Sequence, residues 1–165
     1  GLLRRGNGGG EAETKFQMRE NLLSIGDDYW IEDYAGERVF KVDGKALRLR
    51  STLILQNKEG QDLYRIHERM LRIRDTMEIE RAGGGVAATI SKTLILLSAT
   101  GGPDMDIQGN IPGLEYRISA GRQQVAEVSR KWFRVRDTYG VEVAPGQDDA
   151  LILAITVAID QMAHN

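Results

Sequence analysis

The chain has 165 residues, of which 41% are hydrophobic and 28% charged, and its formal net charge at pH 7 is -2. These values predict one globular domain with a core of its own, and they give no reason to expect nucleic acid as a partner. Because the chain has no cysteine, disulfide scaffolds, zinc–thiolate sites and a cysteine nucleophile are excluded, and we expect a cytoplasmic protein.

The first residues are expected to lie outside the domain. Residues 6–10 read GNGGG, a composition typical of flexible linkers, and no apolar run of a secretory signal follows the early arginines. We therefore predict a Gly-rich tail over residues 1–14 and a single domain over residues 15–165. No apolar run approaches the roughly 20 residues that span a bilayer, so no transmembrane segment is expected.

From residue 36 onward, a unit of strands and turns recurs. Residues 36–54 read GERVFKVDGKALRLRSTLI and residues 60–78 read GQDLYRIHERMLRIRDTME, with a degenerate copy at 85–96 and a further copy at 121–141. Hydrophobic and polar residues alternate within each copy, which predicts strands. Glycine-containing turn signals at 34–36, 58–60, 83–85 and 120–121 separate them. Many short strands at regular spacing predict a sandwich or a closed barrel, and a barrel leaves no exposed edges.

The C-terminal segment has a different pattern. Residues 148–164 read DDALILAITVAIDQMAH, which predicts a helix capped by Asp148 or Asp149. Residues 150–159 are apolar on every face except at Thr156, so this helix must be surrounded by protein. Since only strands are available to surround it, we predict a closed barrel with the helix through its middle. The alternative, a helix lying on one sheet face, would leave one side in water.

Three features together resemble a known family: KFQMRENLLSIGDDYWIED at 15–33, the repeated G-x-x-V-x-x-V units, and VAEVSRKWFRVRDTYGVEVAPGQDDALILAITVAID at 125–160. They resemble the LURP-one-related family of the Tubby C-terminal-like superfamily, over about residues 15–163. The resemblance implies a mainly β fold, a closed antiparallel barrel of roughly 12 strands around one hydrophobic C-terminal helix.

The functional implication of the resemblance is limited. Tubby-like domains are known to bind phosphoinositides through basic residues on the barrel, and phospholipid scramblases look like their relatives. No phosphoinositide-contact motif matches this chain position by position, so no binding residue is carried over from the family. A shared fold alone does not transfer an activity.

Basic residues recur at matched positions of the repeated units. Arg-x-Arg pairs occur in RLRST, RIRDT and RVRDT, each followed by a predicted strand corner. Arginine suits phosphate, so a regular barrel would collect these pairs into a cationic rim for an anionic ligand. The alternative is that they form ordinary solvated ion pairs beside turn residues such as Asp75 and Asp137. The candidate anionic-ligand residues are Arg48, Arg50, Arg72, Arg74, Lys131, Arg134 and Arg136.

Other reactive residue types are expected to be structural. His67 and His164 have no carboxylate clustered with them in the sequence, so neither a metal site nor a cofactor is expected. No nucleophile elbow or phosphate loop occurs, and the protein is predicted not to be an enzyme. We expect Asp160 at the barrel mouth. Trp132 and Phe133, if they lie on a strand, would point to opposite faces, leaving one ring outside the core.

The sequence thus predicts a non-catalytic binding module, in the cytoplasm or at the periphery of a membrane. Its predicted ligand is an anionic phospholipid or another anionic group at the membrane surface. The alternative is a protein–protein interaction scaffold without a lipid function, which would use an exposed edge or the surface around Trp132 and Phe133.

Overall fold

The computed structural model describes residues 14–22, 27–46, 52–68, 76–92, 98–101 and 105–164. In these ranges the chain forms antiparallel strands and a long C-terminal helix, so the predicted mainly β fold with a C-terminal helix is confirmed. The strands are β1 (Thr14–Arg19), β2 (Tyr29–Asp33), β3 (Arg38–Val42), β4 (Leu53–Asn57), β5 (Asp62–Glu68), β6 (Thr76–Arg81), β7 (Val86–Lys92), β8 (Ser98–Gly101), β9 (Met105–Asn110), β10 (Glu115–Ala120), β11 (Gln123–Ser129) and β12 (Thr138–Val143), and the helix is α1 (Asp149–His164).

Strands that follow one another in the sequence pair with one another in the sheet. β1 also pairs with β12, in a register that runs from Thr14 opposite Val143 to Arg19 opposite Thr138. On its other side β1 meets β2 through Phe16 opposite Asp33 and Gln17 opposite Glu32. The order of paired strands therefore returns to its start, and the sheet is a closed barrel.

The alternating apolar and polar residues of the strands lie on the inner and outer faces of the sheet, respectively. In β1, Phe16 and Met18 are buried, whereas the alternating residues Lys15 and Gln17 are partly exposed. In β12, Tyr139 and Val141 are likewise buried in the core. Successive side chains of a strand point to opposite faces, so a period of two lines the interior with one apolar set.

The helix α1 fills this interior. It packs against β5, β6, β7 and β12, and its residues 152–162 are all buried. Asp148 caps its start, as predicted, because Asp148 Oδ1 accepts a hydrogen bond from the Leu151 amide at 3.2 Å. Within the described parts of the chain, no helix has both the length and the apolar character needed to cross a membrane.

The predicted turns are found where the glycines are. The stretch at 83–85 forms the hairpin between β6 and β7, with Gly84 at φ 109° and Gly85 at φ 91°. These angles lie in the left-handed region of backbone conformation, which residues other than glycine rarely adopt. The glycine-rich segment is therefore a hairpin turn, as predicted, rather than a phosphate loop.

The expectation that Asp160 lies at an exposed mouth is wrong. Asp160 is 1% exposed, and its Oδ2 accepts a hydrogen bond from the Asn21 amide at 2.6 Å. The main chain just after β1 therefore contacts this part of α1, and the helix is still buried at Met162. Burial, together with the charge of Asp160, raises the pKa of Tyr116 and Tyr139 well above the usual range, so both phenols stay neutral.

Candidate anionic-ligand surface

The predicted basic residues are only partly placed. Lys131, Arg134 and Arg136 lie in the connection between β11 and β12, and all three are exposed. The remaining four candidates lie outside the described residues: Arg48, Arg50, Arg72 and Arg74. Three of the seven candidate cations are therefore located, all in one connection, and a cationic rim built from three such segments stays a prediction.

The RVRDT stretch at 134–138 forms a corner that leads into a strand. Asp137 adopts a left-handed backbone conformation with φ 61°, which aspartate tolerates better than most residues. Thr138 is the first residue of β12, and its Oγ1 donates a hydrogen bond to the Val135 carbonyl at 2.6 Å. The corner turns the chain sharply, and this leaves the side chains of residues 134–136 at the surface.

The residues before this corner are not in a strand, so the expectation that Trp132 and Phe133 point to opposite faces is wrong. Arg130–Trp132 form a single 3-10 turn, which the Ser129 Oγ caps by accepting from the Lys131 amide at 3.1 Å. Both aromatic rings then cover Gly140 on the outer face of β12. A Cβ at Gly140 would lie 2.7 Å from Cε3 of Trp132 and 3.0 Å from Cε2 of Phe133.

Cations and further aromatic rings surround this pair. Lys15 Nζ lies 4.9 Å from the ring centre of Trp132 and 5.8 Å from that of Tyr34, and it pairs with a Glu142 carboxylate oxygen at 4.0 Å. The rings of Tyr34 and Phe133 lie 6.0 Å apart. Tyr34 and Val135 are 52% and 55% exposed. We call the following set the basic–aromatic surface: Lys15, Tyr34, Lys131, Trp132, Phe133, Arg134, Val135 and Arg136.

A groove of about 370 Å³ runs beside this surface. On one side Arg130 is bound by both oxygens of Glu20, at 3.1 Å from Nε and 2.9 Å from Nη2. On the other side lie Arg134 and Asp137. Arg130 is therefore committed to a bidentate ion pair that joins the ends of β1 and β11, which leaves Arg134 as the groove cation best placed to meet a ligand.

The same combination of a ring and cations recurs on the next strands. The guanidinium of Arg38 lies 5.3 Å from the ring centre of Trp30, and Lys41 Nζ lies 5.5 Å from it. Lys41 also pairs with Asp28 at 3.6 Å. Stacked cations of this kind contribute about 0.5–1 kcal/mol at exposed sites, so they order the outer wall more than they stabilise the fold.

The far end of the barrel is acidic. A groove of about 440 Å³ lies where α1 begins, and its lining includes Asp62, Tyr64, Arg81, Asp148 and Asp149. The Tyr64 hydroxyl donates to Asp148 Oδ2 at 2.5 Å. Burial, assisted by the charge of Asp148, raises the pKa of Asp149 to about 6. This excess of carboxylates makes the groove unsuitable for an anionic ligand.

A third cluster was not anticipated from the sequence. His67 of β5 lies opposite Glu78 of β6, and Glu80 follows two residues later on the same face. One ligand atom from each residue lies within 4.8 Å of those of the other two. The alternation of the two strands indicated that these side chains share the outer face, but their proximity depends on the register of the hairpin.

Comparisons with known proteins agree with the fold. The family model of the LURP-one-related family matches residues 14–160, so the chain belongs to that family, and the resemblance noted in the sequence is confirmed. It is similar to the uncharacterized protein YxjI of Bacillus subtilis strain 168, with 26% identity over 153 residues, 90% of this chain and 93% of that protein.

A solved structure shares the architecture. The X-ray structure of a protein from Arabidopsis thaliana superposes with a TM-score of 0.69 at 20% sequence identity, and the match covers 92% of this chain and 91% of the other. At this level of identity the likeness concerns the fold alone.

Proposed function

We propose that this member of the LURP-one-related family is a non-catalytic binding module that holds an anionic phospholipid surface against its basic–aromatic surface. One observation carries the proposal: a single connection, residues 131–137, presents three exposed cations next to aromatic and aliphatic side chains. Peripheral membrane binding uses this combination, since cations attract lipid headgroups while apolar side chains enter the interface.

The magnitudes favour reversible binding. Each basic residue near an anionic leaflet contributes about 1 kcal/mol, so Lys131, Arg134 and Arg136 together supply about 3 kcal/mol. Exposed Tyr34 and Val135 would add the hydrophobic contribution of entering the interface. The expected affinity is therefore weak and falls as salt is raised.

The distribution of charge supports one orientation of the barrel. Asp160 is bonded to Asn21 at the end where the exposed corner at 134–137 lies, since the Glu20 amide donates to the Asp137 carbonyl, and Asp149 begins α1 at the acidic end. At 1.5 Å per residue these two positions are about 16 Å apart along the helix. An anionic membrane would attract the first end and repel the second, which is how a chain of net charge -2 would still dock.

The test is flotation with vesicles of phosphatidylcholine alone or with phosphatidylserine added. We expect binding to the anionic vesicles at low salt, and at least about a tenfold loss for the double variant Arg134→Glu/Arg136→Glu, because two charge reversals change the attraction by several kcal/mol. The matched control is Arg122→Glu, in the exposed turn between β10 and β11. Equal binding by all three proteins, or none by the parent at low salt, would refute the proposal.

The alternative function, a scaffold for a protein partner, has support in the exposure of Tyr34 and Val135, since interfaces are built around such aromatic and aliphatic side chains. The double variant Tyr34→Ser/Val135→Ser separates the two functions. If a protein partner were held mainly by apolar contacts, this variant would lose it, whereas the charge-reversal variant would retain it.

A further inference from the structure

The cluster of His67, Glu78 and Glu80 lies on the outer wall of the barrel, away from the basic–aromatic surface. The neighbouring inward residues Ile66 and Ile79, which face each other across β5 and β6, are buried, and this places the three polar side chains on the opposite face. Neighbouring strands of an antiparallel pair bring directly opposed side chains to within about 5 Å of one another.

The ligand atoms of the cluster, which include the His67–Glu80 ion-pair contact, are close enough for one ion to bridge them. His67 Nε2 lies 3.8 Å from Glu80 Oε1, beyond the roughly 3.2 Å limit of an N–H···O hydrogen bond. Two ligands of a tetrahedral zinc ion, each bound at about 2.0–2.1 Å, lie about 3.4 Å apart. Small rotations of side chains that are 32% and 37% exposed are enough to reach that separation.

We propose that His67, Glu78 and Glu80 bind a divalent transition-metal ion of the Zn²⁺ class, with solvent completing its coordination. One imidazole nitrogen and two carboxylates are ligands that zinc and its neighbours accept, and three protein ligands leave one position open. Ca²⁺ and Mg²⁺ are disfavoured, because they require six or more oxygen ligands or strict octahedral geometry, which one histidine and two glutamates do not supply.

Local charge favours a cation at this point. With neutral imidazole the three ligands carry two negative charges, which a divalent ion neutralises. Among the residues that the structure describes, the cation Arg65 lies opposite Glu80 in the register. The Arg65 Nη2 also lies 4.0 Å from Asp62 Oδ2, so the guanidinium is partly paired with a carboxylate outside the cluster. The residue opposite Glu78 on the other side is the uncharged Thr89 of β7.

The frame that carries the ligands is rigid. β5 pairs with both β4 and β6, and β6 also pairs with β7, so both ligand-bearing strands are held on each side. Ligands placed on paired strands lose little freedom when they close around an ion, which raises affinity over that of a flexible cluster.

The experiment is a titration of EDTA-treated protein with Zn²⁺ by calorimetry and with Co²⁺ by visible absorption. We expect one ion per chain for each metal, and at least about a tenfold weaker binding in His67→Asn and in Glu80→Gln. The matched control is His164→Asn, which removes the other histidine and should leave both titrations unchanged. Far-UV circular dichroism of each variant establishes that it is folded.

Three results would overturn the site: no binding of either ion at millimolar concentration, binding unchanged in the folded His67→Asn variant, or equal binding of Mg²⁺. The outcome is independent of the membrane proposal, because flotation of the EDTA-treated protein tests the basic–aromatic surface without any ion. If the protein binds anionic vesicles but no metal ion, only the metal site is refuted. If it binds the metal ion but no vesicles, only the membrane proposal is refuted.

Discussion

The two ends of the barrel have opposite chemistry although one helix connects them. At the start of α1, carboxylates dominate the groove that contains Asp62, Asp148 and Asp149. At the other end, the connection at 130–137 displays cations and aromatic rings. The core between them is continuous and apolar, from strands to helix. Packing therefore constrains the inside of the molecule, and the chemistry that differs lies in the connections.

This difference has a physical origin in what each position must satisfy. An inward residue of a strand must exclude water and fill a defined volume, so its side chain is restricted to an apolar type. A connection must only turn the chain, which Asp137 and the glycines achieve through their backbone angles. Its side chains remain free to take on binding, and loops on a rigid scaffold commonly do.

The largest expected effect comes from a substitution in the centre of α1, the helix that connects the two ends of the barrel. Ile155 is 0% exposed at the centre of α1, and Ile155→Asp would bury an unpaired charge at a cost of several kcal/mol. We expect the variant to lose its cooperative thermal transition. Because the whole domain would then be unfolded, the surfaces at both ends of the barrel would be lost as well. Ile155→Val is the control, at about 0.5–1.5 kcal/mol. A melting curve for Ile155→Asp like that of the parent would show that the helix is peripheral.

A smaller effect is expected at the basic end alone. Gly140→Ala places a methyl group 2.7 Å from the Trp132 ring and must displace it, at a cost of about 1–3 kcal/mol. We expect a lower midpoint in denaturant together with a shift in tryptophan emission. Gly83→Ala is the matched control, since a Cβ there meets nothing within 4 Å. Unchanged emission in Gly140→Ala would mean that the rings do not rest on β12.

The smallest effect is a pH dependence confined to the acidic end. Because the pKa of Asp149 is raised from 3.8 to about 6, the folded chain retains a proton that the unfolded chain releases between those values. Asp149 thus lowers the stability as pH rises through this window. Partial exposure screens the effect, so we expect about 1 kcal/mol.

Thermal unfolding from pH 4 to pH 8 measures this contribution. Asp149→Asn should flatten the change of the melting temperature between about pH 4 and 6, by about 2–4 °C for a chain of this size. Asp106→Asn, at an exposed position of β9, is the control and should leave the pH profile unchanged. A profile for Asp149→Asn identical to that of the parent would place the linked proton elsewhere.

Much of the fold follows from local pattern. The alternation in residues 76–80 and the glycines at 83–85 predict a strand and a hairpin turn, and both are present because they depend on neighbours along the chain. Likewise, the apolar run at 150–159 predicts a buried helix on chemistry alone. The prediction for Trp132 and Phe133 was wrong because a 3-10 turn interrupts the period of two. Both rings then pack over Gly140.

Residue types and their periodicity, read along the chain, were sufficient to identify the strands, the turns and a helix that needed cover on all sides. Contacts between distant segments required the folded structure. Asp160 is hydrogen-bonded by the amide of Asn21, which follows the first strand at the opposite end of the sequence, and His67 meets Glu78 and Glu80 only through the register of β5 and β6. Closing the sheet fixes those registers, since a shift of one residue would turn every inward side chain outward.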